Sequence, residues 1–244
     1  MTHDTLNYEE KEGVAYITMD RPEGNRINVE MVSDLTKVCD RLEDDSEASH
    51  VVLQGANGAF SMGVDFADFQ PGKDMDIHGF NKWEKICRRL EKLPKTTVAL
   101  VDGPAFGGGF QLVLTCDLRL ATERARFQMP EVHMGFLPGM ATFRLAKYIG
   151  LGRAKRLMLT AEEFGAQAAH DMGIIDRIDT PENALAWADE ALGPKHSVAV
   201  ELARRLLNES FGDSWEDAVG HFLAAQHRSI SQTAFLETLR KQKL

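Results

Sequence analysis

Two glycine-rich turns, each directly after a run of β-forming residues, constrain the fold of this 244-residue chain more than any other feature. The first turn spans residues 59–65 and follows the run 50–54. The second is Gly107-Gly108-Gly109, which follows Thr96–Val101 and leads into the apolar stretch 110–116. Glycine lets the backbone turn sharply and lets another group approach closely. The sequence therefore predicts two strands that each end in a turn with accessible backbone N–H donors.

Short apolar runs alternate with helical patterns as far as about residue 130, and helical patterns dominate afterwards. This order is typical of an α/β core followed by a helical region. The predicted strands are residues 13–19, 50–54, 96–101, 118–122, 125–128 and 173–178. Predicted helices in the second half are residues 141–149, 152–160 and 165–171, with a helical tail over 182–241. We predict one continuous fold, with an α/β core in residues 1–182 and a helical C-terminal region in residues 183–244.

Local signals place the helices of the first half. Residues 20–25 are typical of a turn or loop, and Asn28 is a good N-cap for the helix after it. Apolar residues then recur at helical spacing, at Met31, Leu35, Val38 and Leu42. A polar, loop-like segment at residues 70–75 precedes a second helix, which ends before Pro94. Its apolar face is expected to carry Phe80, Trp83, Cys87 and Leu90.

Charge and cysteine usage exclude several classes of protein. The chain has 28 Lys and Arg against 37 Asp and Glu, a net charge of −9, so we predict no nucleic-acid binding. Its three cysteines are far apart and odd in number, which argues against a disulfide framework and favours a reducing, cytoplasmic location. No apolar run reaches the ~20 residues that span a bilayer, so we predict no membrane association.

The turns supply candidate donors for an oxyanion. Gly108 and Gly109 lie where a strand becomes a helix, and the first N–H groups of a helix point outward at its positive end. Gly63 allows a strained backbone at which Val64 can offer its N–H. Two such donors aimed at one oxygen form a strong catalytic device. Taken alone, each glycine cluster is more often only a tight turn or a close packing contact.

Glu131 is the candidate acid/base. It follows Pro130, and the residues after it, 132–139, are largely apolar. Partial desolvation raises the proton affinity of a carboxylate toward that of a useful general base. The alternative is an exposed loop acid, or an ion pair with Arg119 or Arg126. One carboxylate beside an oxyanion site is the equipment for enolate chemistry next to a thioester carbonyl.

Other polar residues near these motifs carry weaker signals. Gln111 follows the triple glycine and can donate and accept hydrogen bonds, but it cannot titrate. Asp65 and His133 can tune the site, although a turn-capping aspartate and a surface histidine are the more ordinary roles. The chain has no GxSxG, P-loop, GxGxxG or HExxH motif, and its histidines form no metal-ligand pairs with cysteines. We predict no metal site.

Several segments together identify the chain as similar to the crotonase superfamily, which contains enoyl-CoA hydratases, isomerases and relatives. The resemblance runs from about residue 6 to the C-terminus, with the matching pieces in order. They are residues 20–22 with Asn28, then 59–65, 101–109, 116–117, 127–131, 135–139 and 173–176.

The resemblance implies a fold, a substrate and an assembly. The fold is a spiral of ββα units with a helical C-terminal region that forms trimers, often paired as hexamers. The oxyanion hole comes from the N–H groups of Val64 and Gly108. Between them lies the thioester carbonyl of an acyl-CoA or acyl carrier protein substrate, with no permanently bound cofactor. The segments expected along coenzyme A contribute Arg26, Ile27, Met62 and Asp65.

One departure from the family pattern shapes the expected reaction. Hydratases that resemble this chain have glutamates at the positions of both Gln111 and Glu131, whereas isomerases work with one glutamate at the Glu131 position. The resemblance therefore implies an enoyl-CoA isomerase, with Glu131 and Gln111 as the catalytic side chains. The alternatives are a hydratase or dehydratase, enolate C–C bond chemistry as in carboxymethylproline synthases, and a non-catalytic acyl-CoA-binding protein.

Overall fold

The computed structural model describes residues 3–68, 77–193 and 197–242. The loop predicted at residues 70–75 lies outside the described residues. Strands of the described chain are β1 Leu6–Lys11, β2 Val14–Met19, β3 His50–Gly55, β4 Thr96–Val101, β5 Pro104–Phe106, β6 Leu118–Ala121, β7 Arg126–Gln128, β8 Phe164–Gly165 and β9 Arg177–Ile178.

Helices surround these strands and make up most of the second half. Those of the first half are α1 Pro22–Asn25, α2 Val29–Asp44, α3 Ile77–Lys92 and α4 Gly108–Thr115, and short 3₁₀ helices cover Phe66–Asp68 and Glu131–Met134. Those of the second half are α5 Ala141–Ile149, α6 Leu151–Thr160, α7 Ala166–Asp171, α8 Pro181–Leu192, α9 Val198–Glu209, α10 Trp215–Ile230 and α11 Thr233–Gln242.

The main sheet explains why the two glycine-rich turns meet. Its strand order is β1-β2-β3-β4-β6-β9, and every pair except β1 with β2 is parallel. Strands β3 and β4 are neighbours, with Val52 opposite Val98. Because parallel neighbours end at the same edge of a sheet, the turns that follow β3 and β4 lie side by side there. The α/β fold predicted from the alternating pattern is thus confirmed.

A second, three-stranded sheet supports the same edge. Its order is β5-β7-β8, and it packs through three phenylalanine rings whose centroids lie 5.3–5.9 Å apart. They come from α4, β7 and β8: Phe110, Phe127 and Phe164. Aromatic rings at these distances pack favourably. This cluster holds the start of α4 against β7, which leads directly to Pro130 and Glu131.

Capping and apolar spacing position the first long helices as predicted. The Asn28 side chain accepts a hydrogen bond from the Met31 N–H and caps α2. In α3 the predicted apolar face is largely buried, with Trp83, Cys87 and Leu90 at most 8% exposed. Helix α3 packs against α2 and α4, so its side chains reach the start of the helix that follows the triple glycine.

The C-terminal helices are anchored to the core by charged side chains. Arg204 of α9 forms an ion pair with Asp117 and donates to the carbonyl oxygens of Leu90 and Leu93. Asp189 of α8 lies 2.9 Å from the Nε2 of buried His50. The helical C-terminal region is present as expected, and the division at residue 182 stays a prediction. Within the described residues, no helix combines the length and the apolarity needed to cross a membrane.

All three cysteine thiols are free and enclosed in the core. Cys39 and Cys87 have no exposed surface, and Cys116 is 1% exposed. Burial disfavours the charged thiolate, and it raises the pKa of Cys39 and of Cys116 to about 12. The pKa of Cys87 is raised for the same reason.

Some short elements differ from the sequence prediction. Strands β1, β5 and β8 were not predicted, because each is short or polar and is defined by its pairing partner. The strand expected over residues 173–178 is limited to Arg177–Ile178. The helical tail is broken into separate helices, one of which ends at Gly193 with positive φ. Residues 20–25 contain a short helical turn in which Glu23 and Gly24 adopt left-handed conformations.

Candidate active site

Backbone hydrogen bonds join the two glycine-rich turns into one unit. The N–H groups of Phe60 and Ser61 both donate to the Pro104 carbonyl oxygen, at 2.9 and 3.1 Å. In return the Phe106 N–H donates to the Ser61 carbonyl oxygen at 2.9 Å. These bonds fix the first turn against β5, immediately before the triple glycine.

Two glycines are required where these segments cross. A Cβ on Gly109 would overlap the carbonyl oxygen of Ser61, and one on Gly63 would lie 2.8 Å from the carbonyl oxygen of Phe106. Gly63 also has φ +85°, which side-chain-bearing residues rarely adopt. The glycines therefore permit a backbone approach that no other residue allows.

The predicted oxyanion donors lie together at this crossing. Ile27 donates to the carbonyl oxygen of Gly63 and accepts from the N–H of Asp65, so the Val64 N–H is not used in that bridge. Gly108 is the first residue of α4, where an N–H has no partner inside the helix. Among the described residues, neither the Val64 nor the Gly108 N–H donates to a protein acceptor. Both donors are available to a ligand.

Glu131 is held at the same place by Gly107. Gly107 has φ +50° and ψ −120°, and a Cβ on it would overlap Oε1 of Glu131. Glu131 is only 5% exposed, and its Oε2 has no hydrogen-bond partner among the described residues. Burial raises the pKa of the Glu131 carboxyl above its ordinary value of 4.5. This is the environment expected of a general base.

The ion pair considered for Glu131 does not form. Arg119 pairs with Asp176, and Arg126 donates to the carbonyl oxygens of Glu123 and Ala125. Both arginines are thus committed to structural contacts, and the Glu131 carboxylate is left uncompensated.

An open cleft of about 300 Å³ is lined by one of the two donor residues, Val64, and by the candidate base, Glu131. The side chains of Phe66 and Phe136 form part of its wall and pack edge to face, with centroids 5.9 Å apart. Phe80 packs on Phe136 from α3 at 5.4 Å. The described lining residues are Arg26, Met62, Gly63, Val64, Phe66, Phe106, Gly107, Pro130, Glu131, Met134 and Phe136. Most of the wall is apolar, and Arg26 is its cationic residue.

The residues expected along coenzyme A lie in three different environments. Arg26 and Met62 line the cleft directly, whereas the Ile27 Cδ1 atom packs behind Gly108. Asp65 accepts from the Ala67 N–H and pairs with Arg21 at 2.7 Å. These two contacts, the backbone bond first, lower the pKa of Asp65. Asp65 thus caps a turn, as its more ordinary interpretation predicts.

Gln111 is buried one helical turn after Gly108, but it is not among the cleft-lining residues. Its Nε2 donates to Oε1 of Glu84 at 3.0 Å and to Sγ of Cys87 at 3.3 Å. The amide therefore faces α3. His133 is exposed on the 3₁₀ helix that begins with Glu131.

Two residues of this region were not identified from the sequence. The sequence does not distinguish Gly107 from the other two residues of the triple glycine, although its positive φ and its contact with Glu131 set it apart in the structure. Glu84 lies in α3 between Trp83 and Cys87, two residues of the apolar face of that helix. Its neighbours in the sequence are those of any acidic residue on the solvent side of a helix. No local pattern distinguishes it, because its contact with Gln111 arises from packing of α3 against α4.

Metal-binding side chains converge at one place in the described part of the chain. Glu209, Asp213 and His221 lie at the junction of α9 and α10, with ligand atoms within 4.8 Å of one another. Asp213 and His221 already form a 2.9 Å contact. None of the three lines the cleft.

Known proteins are similar to this chain in sequence and in fold over nearly their whole length. A family model described as enoyl-CoA hydratase/isomerase matches residues 9–241. The short-chain-enoyl-CoA hydratase of Clostridium acetobutylicum is 32% identical over 243 residues, covering 93% of each chain. The crotonyl-CoA hydratase of Syntrophomonas wolfei is 30% identical over 251 residues, covering 97% of this chain and 96% of the relative.

A solved structure shows that the fold of this chain is also similar to that of a known protein. The crystal structure of an enoyl-CoA hydratase/isomerase from Cupriavidus metallidurans CH34 aligns with a TM-score of 0.88 at 29% identity. The alignment covers 99% of this chain and 95% of that one.

Proposed function

Because this chain belongs to the enoyl-CoA hydratase/isomerase family of the crotonase superfamily, we propose that it is an enoyl-CoA isomerase. In this proposal the cleft binds an enoyl-CoA thioester, and Glu131 moves the double bond by proton transfer. Arg26, Ile27, Met62 and Asp65 belong to the segments that hold coenzyme A, which is a substrate component and not a resident cofactor.

The backbone donors stabilise the charge that develops on the thioester oxygen. The carbonyl oxygen accepts from the N–H groups of Val64 and Gly108, and Gly108 also supplies the positive end of α4. When a proton leaves the carbon next to the double bond, the electron pair is delocalised onto this oxygen as an enolate. Donors that are already fixed in place stabilise such an oxyanion strongly, because they need no reorganisation during the reaction.

A single carboxylate then completes an isomerisation. Glu131 takes the proton from one carbon of a 3-enoyl thioester and returns it two carbons away, which gives the 2-enoyl thioester. No water is consumed and no net proton is exchanged. The observation that carries this proposal is that Glu131 is the one carboxylate among the described cleft-lining residues.

Hydration is the second candidate reaction. The relatives from Clostridium and Syntrophomonas carry the printed names of hydratases, and Gln111 occupies the position at which hydratases have a second glutamate. An amide oxygen can hold a water molecule but cannot take its proton. Glu131 alone would then deprotonate the water and protonate the substrate.

The position of Glu131 argues against a non-catalytic acyl-CoA-binding protein. Loss of catalysis would be supported by a Glu131 turned away from the donors, whereas here it lines the same cleft as Val64. Enolate C–C bond chemistry stays an alternative without an observation of its own.

A paired substrate assay tests the reaction assigned to the wild-type protein. We expect 3-enoyl-CoA to be converted to 2-enoyl-CoA, while 2-enoyl-CoA alone loses little of its conjugated-thioester absorbance because no second carboxylate activates water. The control is Glu131→Gln, which is expected to be inactive on both substrates. Rapid loss of 2-enoyl-CoA absorbance in the wild type would make hydratase the correct assignment.

The proposal also covers the oligomeric state of the protein, the carrier of the acyl group and the cellular location. Large apolar side chains of α9, α10 and the segment between them are at least 59% exposed, namely Leu207, Phe211, Trp215 and Leu223. Exposed apolar groups of this size mark association surfaces and support a homotrimer or hexamer. We retain the predictions of a cytoplasmic location and of acyl-CoA, with acyl carrier protein as the alternative carrier.

A further inference from the structure

The Asn25 side chain is a fully buried polar group beside the first glycine-rich turn. It has no exposed surface, and its φ of +55° lies in the left-handed region, which asparagine tolerates better than most residues. Its Oδ1 accepts from the backbone N–H of Arg21 at 2.9 Å. Its Nδ2 donates to the carbonyl oxygens of Ala56 and Ala59, at 2.9 and 2.8 Å, with a longer contact of 3.4 Å to that of Phe60. Both ends of the amide are thus bonded to the backbone, which fixes its orientation.

The carbonyl group of Asn25 holds the same turn a second time. Its oxygen accepts from the Ser61 hydroxyl at 2.8 Å, and that hydroxyl oxygen accepts from the Gly63 N–H at 3.2 Å. One residue earlier in the chain, the Gly24 carbonyl oxygen accepts from the Met62 N–H at 2.8 Å. Ser61 has no exposed surface either, so water does not compete for its bonds. Asn25 therefore contacts the turn through its side chain and through its backbone.

These bonds lead directly to the Val64 donor. The Gly63 carbonyl oxygen and the Asp65 N–H, on either side of Val64, are both bonded to the backbone of Ile27. Ile27 and Val64 thus form a short parallel pairing, in which the N–H of Val64 itself is directed away from Ile27. The position of this N–H depends on how firmly the turn is held, and Asn25 holds it from the side of α1.

We propose that Asn25 is a positioning residue that keeps the Val64 N–H at hydrogen-bonding distance from the thioester oxygen. The inference rests on the proposed function, in which Val64 and Gly108 form the oxyanion hole. Gly108 is fixed independently, because it is the first residue of α4. Val64 lies on a loop, and a displacement of about 1 Å in an active site costs up to ~10²-fold in rate. The buried amide gives this loop the rigidity that a helix gives to the second donor.

Three variants separate positioning from general stability. Asn25→Asp keeps the size of the side chain and the tolerance of positive φ, but it replaces the donor group by an oxygen that faces carbonyl oxygens. Ser61→Ala is the milder change, because it deletes the hydroxyl between Asn25 and Gly63 without adding a charge. The matched control is Thr5→Val, which also deletes a buried hydroxyl, the one that donates to Asp34 at 2.9 Å.

The first readout is the infrared stretching band of the thioester carbonyl of bound butyryl-CoA, identified by a heavy carbon isotope at that carbonyl. Hydrogen bonds to a carbonyl oxygen weaken its C=O bond and lower this frequency, so the band reports the two donors without turnover. We expect the wild type to lower the frequency relative to free butyryl-CoA. Asn25→Asp and Ser61→Ala are expected to lose part of this shift, the aspartate variant more, and Thr5→Val to match the wild type.

The second readout is turnover of 3-enoyl-CoA. We expect kcat to fall by up to ~10²-fold in Asn25→Asp and by less in Ser61→Ala, while KM changes much less because the rest of the cleft is intact. Thr5→Val is expected to keep the wild-type kcat, even where its melting temperature falls as far as that of Ser61→Ala. A purely structural role would lower the melting temperature and leave both kcat and the carbonyl frequency of the folded variants unchanged.

Ser61→Ala decides the matter alone if Asn25→Asp does not fold. A wild-type carbonyl band and a wild-type kcat in folded Ser61→Ala, or in folded Asn25→Asp, would overturn the inference. Failure of the proposed function has a different signature. Equal frequencies for free and wild-type-bound butyryl-CoA would refute the oxyanion hole and this inference together. Turnover that persists in Glu131→Gln would refute the proposed base and leave the carbonyl shifts intact.

Discussion

Replacing Glu131 with glutamine is expected to remove most turnover and to leave ligand binding nearly unchanged. Positioned proton transfer contributes ~10²–10⁴-fold to rate, and glutamine has almost the same shape but cannot take a proton. The space that Gly107 leaves for the carboxylate accommodates the amide as well. The measurement is kcat on 3-enoyl-CoA together with the affinity for a saturated acyl-CoA. A folded variant with near-normal kcat would refute the assignment of Glu131 as the base.

The same substitution is expected to stabilise the fold above the pH at which Glu131 ionises. Burial raises the pKa of Glu131 in the folded state, so the folded protein binds more protons than the unfolded chain. The stability of the wild type therefore falls as pH rises from the ordinary glutamate range through the raised pKa. Glu131→Gln lacks this loss, and its melting temperature should exceed that of the wild type at neutral pH but not in acid. The acidic limb of the wild-type kcat/KM profile lies at the same raised pKa, because the base must be unprotonated.

Gly108→Pro is expected to fold but to lose ~10²–10³ in rate, the value of one oxyanion donor. Gly108 is the first residue of α4, a position where proline is well tolerated because its N–H is not used by the helix. The substitution therefore deletes a donor that serves the ligand and not the fold. Its ring also occupies the place of the N–H beside the cleft. The measurement is kcat/KM with circular dichroism to verify folding.

Gly108→Ala separates loss of the donor from crowding. Alanine keeps the N–H, and its Cβ would lie 3.1 Å from Cδ1 of Ile27 and 3.5 Å from Cγ2 of Val64. These are flexible side-chain atoms that can move by a few tenths of an ångström. We expect a much smaller loss than for proline. Equal activity of the folded proline variant and the wild type would mean that the triple glycine is only a turn.

The central strands and long helices were predictable because local signals and tertiary packing agree there. Thr96–Val101 is a continuous β-rich run that becomes a buried central strand, and Asn28 caps α2 with its own side chain. The edge strand β1 was not predicted, because its residues 9–11 are charged and exposed. Its strand conformation is imposed by pairing with β2. Strands of two or three residues likewise exist only through their partners.

The candidate site was predictable where glycine and proline mark the backbone. Gly63, Gly108 and Glu131 all lie beside such residues, and the structure brings their turns together at one sheet edge. Glu84 was not predictable, since its neighbours along α3 give an acid at that position no distinguishing local pattern. Glu84 and Gln111 are 27 residues apart in the chain. Their hydrogen bond therefore depends on how α3 packs against α4.

The enclosed thiols have a practical consequence for working with this protein. Because Cys39, Cys87 and Cys116 are buried and their thiols resist ionisation, a disulfide reagent that reacts with thiolate will not label the native protein quickly. Coenzyme A released from a hydrolysed thioester can then be titrated colorimetrically in the presence of the protein with little background. The same reagent becomes a reporter of structural integrity, since its three sites react only as the core opens. A variant that consumes reagent faster than the wild type is one whose packing has loosened, whatever its activity.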